Sequence, residues 1–573
     1  MAASSAPLVE VDGLTFRYRR AAEPALRDLS LSIGPGEVLL VAGPSGCGKS
    51  TLIRALNGLI PHAYRGERTG TVRIDGRDTA EMKLRDISLL VGTVLQDPTR
   101  QIVGSTVEAE LAFGPENLGL PRGEILERLD AVRTRAGIEQ LAGRETAELS
   151  SGEQQLVAVA GILMMRPSLY VVDEPLANLD PATAARLLSM LRRLADEGSA
   201  VVIVEHRVEE ALELEPDRIL YLDEGRTRYL GPVAGFLRVA DPAAVKLPFG
   251  AVLDRIRADP GLSLPAASDP DPPATASADP AGPRRDPARA STPRLAYDGV
   301  RVRLDGREVL RGLSTSLGAR EVVAVLGPNG SGKTTMFRTA IGLVRPDAGE
   351  VSVDGQPAAG RTVAELARVF GYVFQSPSQM LFARTVREEL LFGPRNLDLA
   401  GEDPDRLASD ALHRVSLSAE PEIMERPPLT LSFGQQKRLA LAVALALQPR
   451  TLILDEPSAG QDHRTAERFM REVAAIPGLD GIYLVTHDVD LALTHADRII
   501  LLGGGQIVAD GPPSEVAADA ERWAACNLRR TSLMAANLAR QRPDRRFVEA
   551  TALARRIVEE ENRGGSVVPP GIE

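Results

Sequence analysis

Cysteine is nearly absent from this chain of 573 residues. Cys47 and Cys526 are its two cysteines, which excludes a disulfide framework and a structural zinc site built on cysteine. Long apolar runs are missing as well. The longest candidate, Leu439–Leu447, is a stretch of Leu, Ala and Val about half as long as a membrane span requires. Met1 to Pro7 holds no basic region followed by an apolar run, so no secretory signal is expected. A basic surplus is lacking too: 67 Lys and Arg stand against 78 Asp and Glu, for a net charge of −11. Such a chain is a poor match for a phosphate backbone over a broad surface, and no nucleic acid is expected among its partners. Lysine is scarcest of the charged residues, occurring at Lys49, Lys83, Lys246, Lys333 and Lys437. A position that insists on lysine therefore has a reason. The expectation is a soluble, cytoplasmic chain whose membrane role, if it has one, comes through a partner.

What the chain does have is an internal repeat, the feature to seek first in a long sequence. Gly43-Pro44-Ser45-Gly46-Cys47-Gly48-Lys49-Ser50-Thr51 recurs as Gly327-Pro328-Asn329-Gly330-Ser331-Gly332-Lys333-Thr334-Thr335. Gln96-Asp-Pro recurs as Gln375-Ser-Pro, Leu149-Ser-Ser-Gly-Glu as Leu431-Ser-Phe-Gly-Gln, Asp173-Glu174-Pro as Asp455-Glu456-Pro, and His206 as His487. The offsets stay between 279 and 284 residues, so two homologous halves follow each other. The expected division is a first domain over 1–250, a linker over 251–293, a second domain over 294–520 and a tail over 521–573. The linker reads as extended because its Pro, Ala, Asp and Ser show no apolar periodicity. The tail carries helix-like patches such as Arg545–Glu561 and no assigned role.

Short apolar strands alternate with helical patterns in each half. Glu37–Ala42 and Glu321–Leu326 run into the glycine loops, Leu169–Val172 and Leu452–Leu454 end in acids, and Val201–Val204 and Ile482–Val485 end near a histidine. That order predicts an α/β fold with a mainly parallel sheet in each half.

The spacing G-x4-G-K-[ST] makes a loop whose backbone N–H groups wrap a phosphate chain at a helix N-terminus. Lys49 and Lys333 would reach the β- and γ-phosphates, and Ser50 and Thr334 would ligate Mg²⁺. Two of the five lysines sit where this chemistry needs a compact cation. An apolar strand ending in Asp-Glu complements the loop. Asp173 and Asp455 would hold Mg²⁺ directly or through water, and Glu174 and Glu456 would act as general bases on the attacking water. An Asp-Glu pair by itself is more often a solvated strand end; the phosphate loop upstream turns the balance toward catalysis.

Taken together, the loop, the Gln, the Leu-Ser-x-Gly-Glu/Gln, the Asp-Glu-Pro and the His resemble the ATP-binding-cassette ATPases, over about residues 7–235 and 294–515. The resemblance implies two tandem P-loop cassettes, each with a mainly parallel sheet core and a helical signature subdomain, binding ATP and Mg²⁺. It also implies intramolecular pairing of the two cassettes, with Ser432 and Gly434 capping ATP at Lys49, and Ser150 and Gly152 capping ATP at Lys333. Gln96 and Gln375 would contribute to the nucleotide and Mg²⁺, His206 and His487 would contact the γ-phosphate, and Tyr18 would stack on adenine. Leu304 stands where Tyr18 does and cannot stack that way. Both signatures lack the usual second glycine, and Asn178-Leu-Asp180 and Gly460-Gln-Asp462 differ from each other. Two hydrolytic sites of unequal rate are expected.

Beyond each Gln lies a more particular string: Thr106-Val-Glu-Ala-Glu110-Leu-Ala-Phe113-Gly-Pro-Glu-Asn117, and Thr385-Val-Arg-Glu-Glu389-Leu-Leu-Phe392-Gly-Pro-Arg-Asn396. It looks like the ATPase subunits of energy-coupling-factor transporters, importers of vitamins and transition-metal ions. That resemblance implies a transmembrane coupling protein and a membrane substrate-binding subunit as partners, and a peripheral place on the cytoplasmic face of the cell membrane. Glu108, Glu110, Glu388 and Glu389 become contacts for Arg on coupling helices, against the plainer reading of solvated helix acids, and Gly-Pro can also mark a tight turn. A tandem cassette ATPase of translation is the rival from another class, but the Pro/Ala-rich linker and acidic charge lack its basic helical arm. The double ATPase of sugar importers commonly has one degraded site, whereas both sites here keep Lys, Asp, Glu and His.

Overall fold

The computed structural model describes residues 6–19, 21–176, 179–259, 293–304, 306–399, 401, 403–417, 421–540 and 546–563. These divide into two compact units, the first built from residues before 265 together with those after 556, the second from the residues between.

In the first unit a six-stranded sheet runs in the order Arg226–Gly231, Arg218–Asp223, Val38–Ala42, Ala200–Val204, Leu169–Asp173, Val91–Val94. Its neighbours are parallel except for the edge pair of Arg218–Asp223 with Arg226–Gly231, which is antiparallel. Val38–Ala42 and Ala200–Val204 are buried at every residue. Such strands are covered on both faces, which is why they read as unbroken apolar runs. Each Val or Leu placed there contributes roughly 1.5–3 kcal/mol of transfer free energy. A four-stranded antiparallel sheet (Leu26–Ile33, Val9–Tyr18, Gly66–Ile74, Arg77–Asp78) forms a second layer. Val9, Val11, Leu14 and Phe16 face its core. The alternation skips a beat at Gly13, whose φ of 56° carries an irregularity in the register between Val11 and Leu14.

The second unit repeats this plan. Its six strands run Phe370–Val373, Thr451–Asp455, Gly481–Val485, Val322–Leu326, Arg498–Gly503, Gln506–Gly511, and its smaller sheet runs Arg307–Leu317, Leu295–Leu304, Ala348–Val353, Gln356–Pro357. In both units a helical arm is inserted between the Gln and the Asp-Glu: Val107–Asn117, Arg122–Ala136 and Ser151–Leu163 in the first, Val386–Asn396, Pro404–His413 and Phe433–Ala446 in the second. The expected strands are all present, each within a residue of its predicted ends.

Three expectations need correction. Phe249–Ala258 is a helix with Phe249, Val252 and Ile256 buried, so the first unit extends through residues assigned to the linker; residues 260–292 lie outside the described ones. The stretch after 520 is no appendage. Trp523, Cys526, Leu528, Met534 and Phe547 join the core of the second unit, with the Trp523 indole donating to the Val516 carbonyl at 2.7 Å. Further on, Arg257 pairs with Glu561 at 2.6 Å inside the first unit. Finally, Gly114-Pro115 and Gly393-Pro394 form no tight turn but lie in the last part of a helix. The glycine answers a packing demand there: a Cβ on Gly114 would meet Met165 Sδ at 2.6 Å, and one on Gly393 would meet Leu447 Cδ2 at 2.8 Å.

Candidate functional site

The adjacent parallel strands Val38–Ala42, Ala200–Val204 and Leu169–Asp173 deliver Gly43, His206 and Asp173-Glu174 to the same, carboxyl edge of the sheet. This is where open α/β sheets bind ligands. The loop Gly43–Gly48 leads into the helix Lys49–Leu56, with left-handed Gly48 as its N-cap (φ 109°). Glycine is required at both ends of the loop, because a Cβ on Gly43 would lie 2.2 Å from the Leu222 carbonyl oxygen and one on Gly48 2.5 Å from that of Ala25. Lys49 is buried and its Nζ donates to the carbonyls of Gly43 and Pro44, each at 2.8 Å. Lys333 does the same with Gly327 and Pro328 at 2.8 and 2.9 Å. Both loops thus close around an ammonium group at the point where a phosphate chain would meet exposed amides.

Glu174 and Glu456 have left-handed backbones, φ 45° and 49°, an uncommon conformation for a non-glycine residue and a frequent mark of a functional position. The Glu174 carboxylate accepts from Gln96 Nε2 at 2.7 Å on one oxygen and lies 2.8 Å from His206 Nε2 on the other. A carboxylate can only accept, so His206 carries its hydrogen on Nε2. In the second unit His487 Nε2 stands 3.1 Å from Glu456. Thr334 Oγ1 is 3.1 Å from Asp455 Oδ2. Asp173 is pushed up to about 6, mainly by burial and next by the Glu174 charge, with Lys49, His206 and Arg54 opposing. Burial raises Asp455 likewise. A hydroxyl facing a carboxylate is the hard oxygen set that Mg²⁺ takes, so Thr334 and Asp455 fit this ion in the second unit.

The expected signature residues sit elsewhere, at the starts of the arm helices. Ser150 and Ser432 are N-caps in capping boxes with Glu153 and Gln435. Gly152 and Gly434 follow in the first turn, where a helix start favours anions. The boxes differ in charge: Ser150 Oγ is 2.8 Å from the Glu153 carboxylate, while Gln435 is neutral. Tyr18 ends its strand as expected, with its hydroxyl 3.2 Å from Thr51 Oγ1 and accepting from Arg54 at 2.7 Å. Leu304 ends the corresponding strand. Asn178 lies outside the described residues, whereas Asp180 and Asp462 cap the helices that follow.

Sequence reasoning missed several groups. Tyr372 donates to Asp455 Oδ2 at 2.7 Å where the first half has Thr93. Arg54 lies over the Tyr64 ring at 4.4 Å, beside Tyr18. Lys437, a third of the five lysines, is buried and donates to the carbonyls of Pro457 and Ala459 at 2.8 and 2.5 Å. Burial pushes it down to about 7, against the opposing pull of Glu456. Its scarcity was the available signal.

The particular string past the Gln resolves into separate jobs. Thr106 and Thr385 are N-caps. Glu110 and Glu389, expected as contacts for a partner, are instead 8% and 1% exposed. Glu110 accepts the N–H groups of Val103 and Gly104, both at 2.8 Å, and Glu389 those of Phe382 and Ala383, both at 2.7 Å. They tie down the loop that precedes their helix. Glu108 is also engaged, accepting Gly143 N–H at 2.9 Å. What faces outward is apolar: Phe113 and Phe392, each 52% exposed, with Val103 and Phe382 close to two-thirds exposed. Phe382 and Phe392 meet edge to face at 4.9 Å.

A duplicated phosphate loop with an acidic strand end, a glutamine and a histidine at one sheet edge defines a pair of nucleotide-hydrolysing cassettes. Comparison with known proteins agrees. The family model described as ABC transporter matches twice, over residues 26–177 and 310–459. A Methanosarcina acetivorans protein named "Putative ABC transporter ATP-binding protein" is 36% identical over 91% of this chain and 89% of its own. Its namesake in Methanosarcina mazei is 34% identical over 91% and 92%. A solved structure, cbiO1 from Clostridium perfringens, described as part of the ABC transporter complex cbiONQ, is 31% identical over 42% of this chain and 96% of that one, with a TM-score of 0.37. The chain belongs to the ABC transporter ATP-binding family: it is a tandem-cassette protein that binds ATP and hydrolyses it to ADP and phosphate, coupled to transport. No helix among the described residues is long and apolar enough to cross a membrane.

Proposed function

We propose that this chain is the fused ATPase subunit of an energy-coupling-factor type importer, driving uptake of a vitamin, a vitamin precursor or a transition-metal ion. It works at the cytoplasmic face of the cell membrane, with a transmembrane coupling protein and a membrane substrate-binding subunit as separate partners. The observation that carries this reading is the Thr-Val-x-x-Glu-Leu-x-Phe-Gly-Pro-x-Asn string. It occurs in both cassettes shortly after the glutamine, folds both times into a capped helix, and both times turns a phenylalanine to solvent. Exposed apolar side chains on each capped helix (Phe113, Phe392) and on the glutamate-anchored loop before it (Val103, Phe382) suit apolar ridges of coupling helices better than an acidic surface would.

At each site the lysine, Lys49 or Lys333, leaves its loop carbonyls for the β- and γ-phosphates. Ser50, Gln96 and Asp173 would hold Mg²⁺ in the first site, and Thr334, Gln375 and Asp455 in the second, directly or through water. When bound, Mg²⁺ neutralises phosphate charge. Glu174 and Glu456 take the proton of the attacking water, and His206 and His487 orient toward the γ-phosphate. The cassettes pair within the chain, so that Ser432 and Gly434 cap the nucleotide at Lys49, and Ser150 and Gly152 that at Lys333. Tyr18 covers adenine in the first site.

The test is purification of the tagged chain from detergent-solubilised membranes of its own host, with mass spectrometry of what accompanies it. Integral membrane proteins in stoichiometric amount are expected. Recovery with ribosomes, and with no membrane protein, would overturn the reading.

A further inference from the structure

The two cassettes differ beside the phosphate loop, in a short segment that the first half carries and the second does not. From Lys49 to the left-handed Asp75 the chain runs 26 residues, whereas from Lys333 to the left-handed Asp354 it runs 21. The extra residues lengthen the strand that pairs with Tyr18. Tyr18 stands opposite Gly66, and the Arg19 N–H donates to the Arg65 carbonyl at 3.3 Å. In the second unit the corresponding pairing reaches Arg301 opposite Ala348, short of Leu304. The longer segment sets Tyr64 against Tyr18, with ring centroids 6.1 Å apart and planes 83° to each other. Arg54 joins the two rings. Its guanidinium lies 4.4 Å from the Tyr64 centroid, and its Nη1 donates to the Tyr18 hydroxyl at 2.7 Å. That hydroxyl also stands 3.2 Å from Thr51 Oγ1. Thr51 and Arg54 both belong to the helix that Lys49 opens, so Tyr18 is held at its polar end by the helix of the phosphate loop. The second unit has an arginine at the same register, Arg338, but Leu304 in place of Tyr18 and no counterpart of Tyr64.

We infer that Tyr64 is a positioning residue for the purine base of the nucleotide at the first site, acting through Arg54 on Tyr18. The inference rests on the reading of Tyr18 as the ring that covers adenine. A guanidinium is planar and is attracted to the face of an aromatic ring. Seated on Tyr64, Arg54 points a donor at the Tyr18 hydroxyl from one direction. A tyrosine tied at its hydroxyl presents its face at one angle, so less rotamer freedom is lost when a base stacks on it. Without the Tyr64 ring, Arg54 can turn to water and Tyr18 can rotate. Base binding then weakens. The grip on phosphate does not, because it comes from the loop Gly43–Gly48 and Lys49. The effect belongs to the first site alone.

The experiment reads binding half by half in the full chain, with a protease site inserted within residues 260–292. The protein is photolabelled in the cold with radiolabelled 8-azido-ATP well below half-saturation, in competition with unlabelled ATP or with tripolyphosphate, and then cleaved. Each half thereby reports its own half-displacing concentration. For Tyr64→Leu the ATP needed in the first half should rise about fivefold, with the tripolyphosphate value and the second half unchanged. Tyr64→Phe keeps the ring and should restore the unsubstituted value. Tyr18→Phe removes the hydroxyl and should match Tyr64→Leu. The two substitutions together should be no weaker than either alone, because they cut one linkage. Melting curves check each fold, and if Tyr64→Leu does not fold, Tyr64→Gln takes its place. An unmoved ATP value in the first half, a parallel shift of ATP and tripolyphosphate, or losses that add in the double variant would overturn the inference. Tyr18→Ala with an unchanged ATP value would instead overturn the adenine reading beneath it.

Discussion

Gln96 Nε2 donates to Glu174 Oε2 at 2.7 Å, and this bond links the segment entering the helical arm to the carboxylate proposed as base. Removing it should slow the chemistry. For Gln96→Ala the expected outcome is a kcat about tenfold lower in the first site, together with a raised Mg²⁺ requirement, because the same side chain is proposed to help hold the metal. Single-turnover phosphate release on the Glu456→Gln background measures it.

Asp173 makes a pH prediction whose sign is fixed by burial. Its folded-state value is raised from 3.8 to about 6, so its stabilising contribution is complete below 3.8 and is lost as pH rises through 6. Asp173→Asn should stabilise the first unit toward urea more at pH 7 than at pH 4. Metal binding needs the ionised form, so the Mg²⁺ concentration for half-maximal turnover in the first site should rise about tenfold between pH 7 and pH 5. A flat Mg²⁺ requirement over that range would count against Asp173 as a ligand.

The two signatures differ by one charge at a helix start. Ser150 has the Glu153 carboxylate 2.8 Å from its hydroxyl, partly offset by Arg144 at 3.0 Å from the same residue; Gln435 brings no charge to Ser432. If Ser150 caps the nucleotide at Lys333, Glu153→Gln should tighten ATP there by severalfold, since a negative charge at a helix N-terminus competes with an incoming anion. Photolabelling with 8-azido-ATP over a range of nucleotide concentrations, followed by cleavage between the two cassettes, would show the change confined to the second site.

Glu110 and Phe113 separate folding from docking on the same helix. Glu110→Ala leaves the part-buried N–H groups of Val103 and Gly104 without their acceptor, a loss of about 0.5–1.5 kcal/mol for each hydrogen bond, and should lower the melting temperature. The double substitution Phe113→Ala and Phe392→Ala removes exposed rings and should leave both stability and basal ATP turnover unchanged. It should nevertheless reduce the membrane proteins recovered with the chain.

Much of this architecture is legible because the phosphate loops write their demands locally. At Gly43 and Gly327 a Cβ would stand 2.2 and 2.1 Å from the carbonyls of Leu222 and Leu502, so no other residue fits, and strands buried on both faces spell themselves as apolar runs. The rest depends on what distant backbone brings to a side chain. Nothing near Glu110 in sequence announces that its carboxylate will be buried under the loop it anchors. Tyr64 reads as a loop residue until the Arg54 guanidinium is found over its ring. The helix Phe249–Ala258 escaped because Pro-rich composition begins directly after it, and the core role of Trp523 because its partners come from the whole second unit.

The central claim is that two sites hydrolyse ATP through Glu174 and Glu456, and steady-state phosphate release from Glu174→Gln, Glu456→Gln and the double variant tests it most directly. The account predicts a lower rate in each single variant and a double variant about 10²-fold or more below the unsubstituted chain. Single variants that each hydrolyse ATP at the original rate would contradict it.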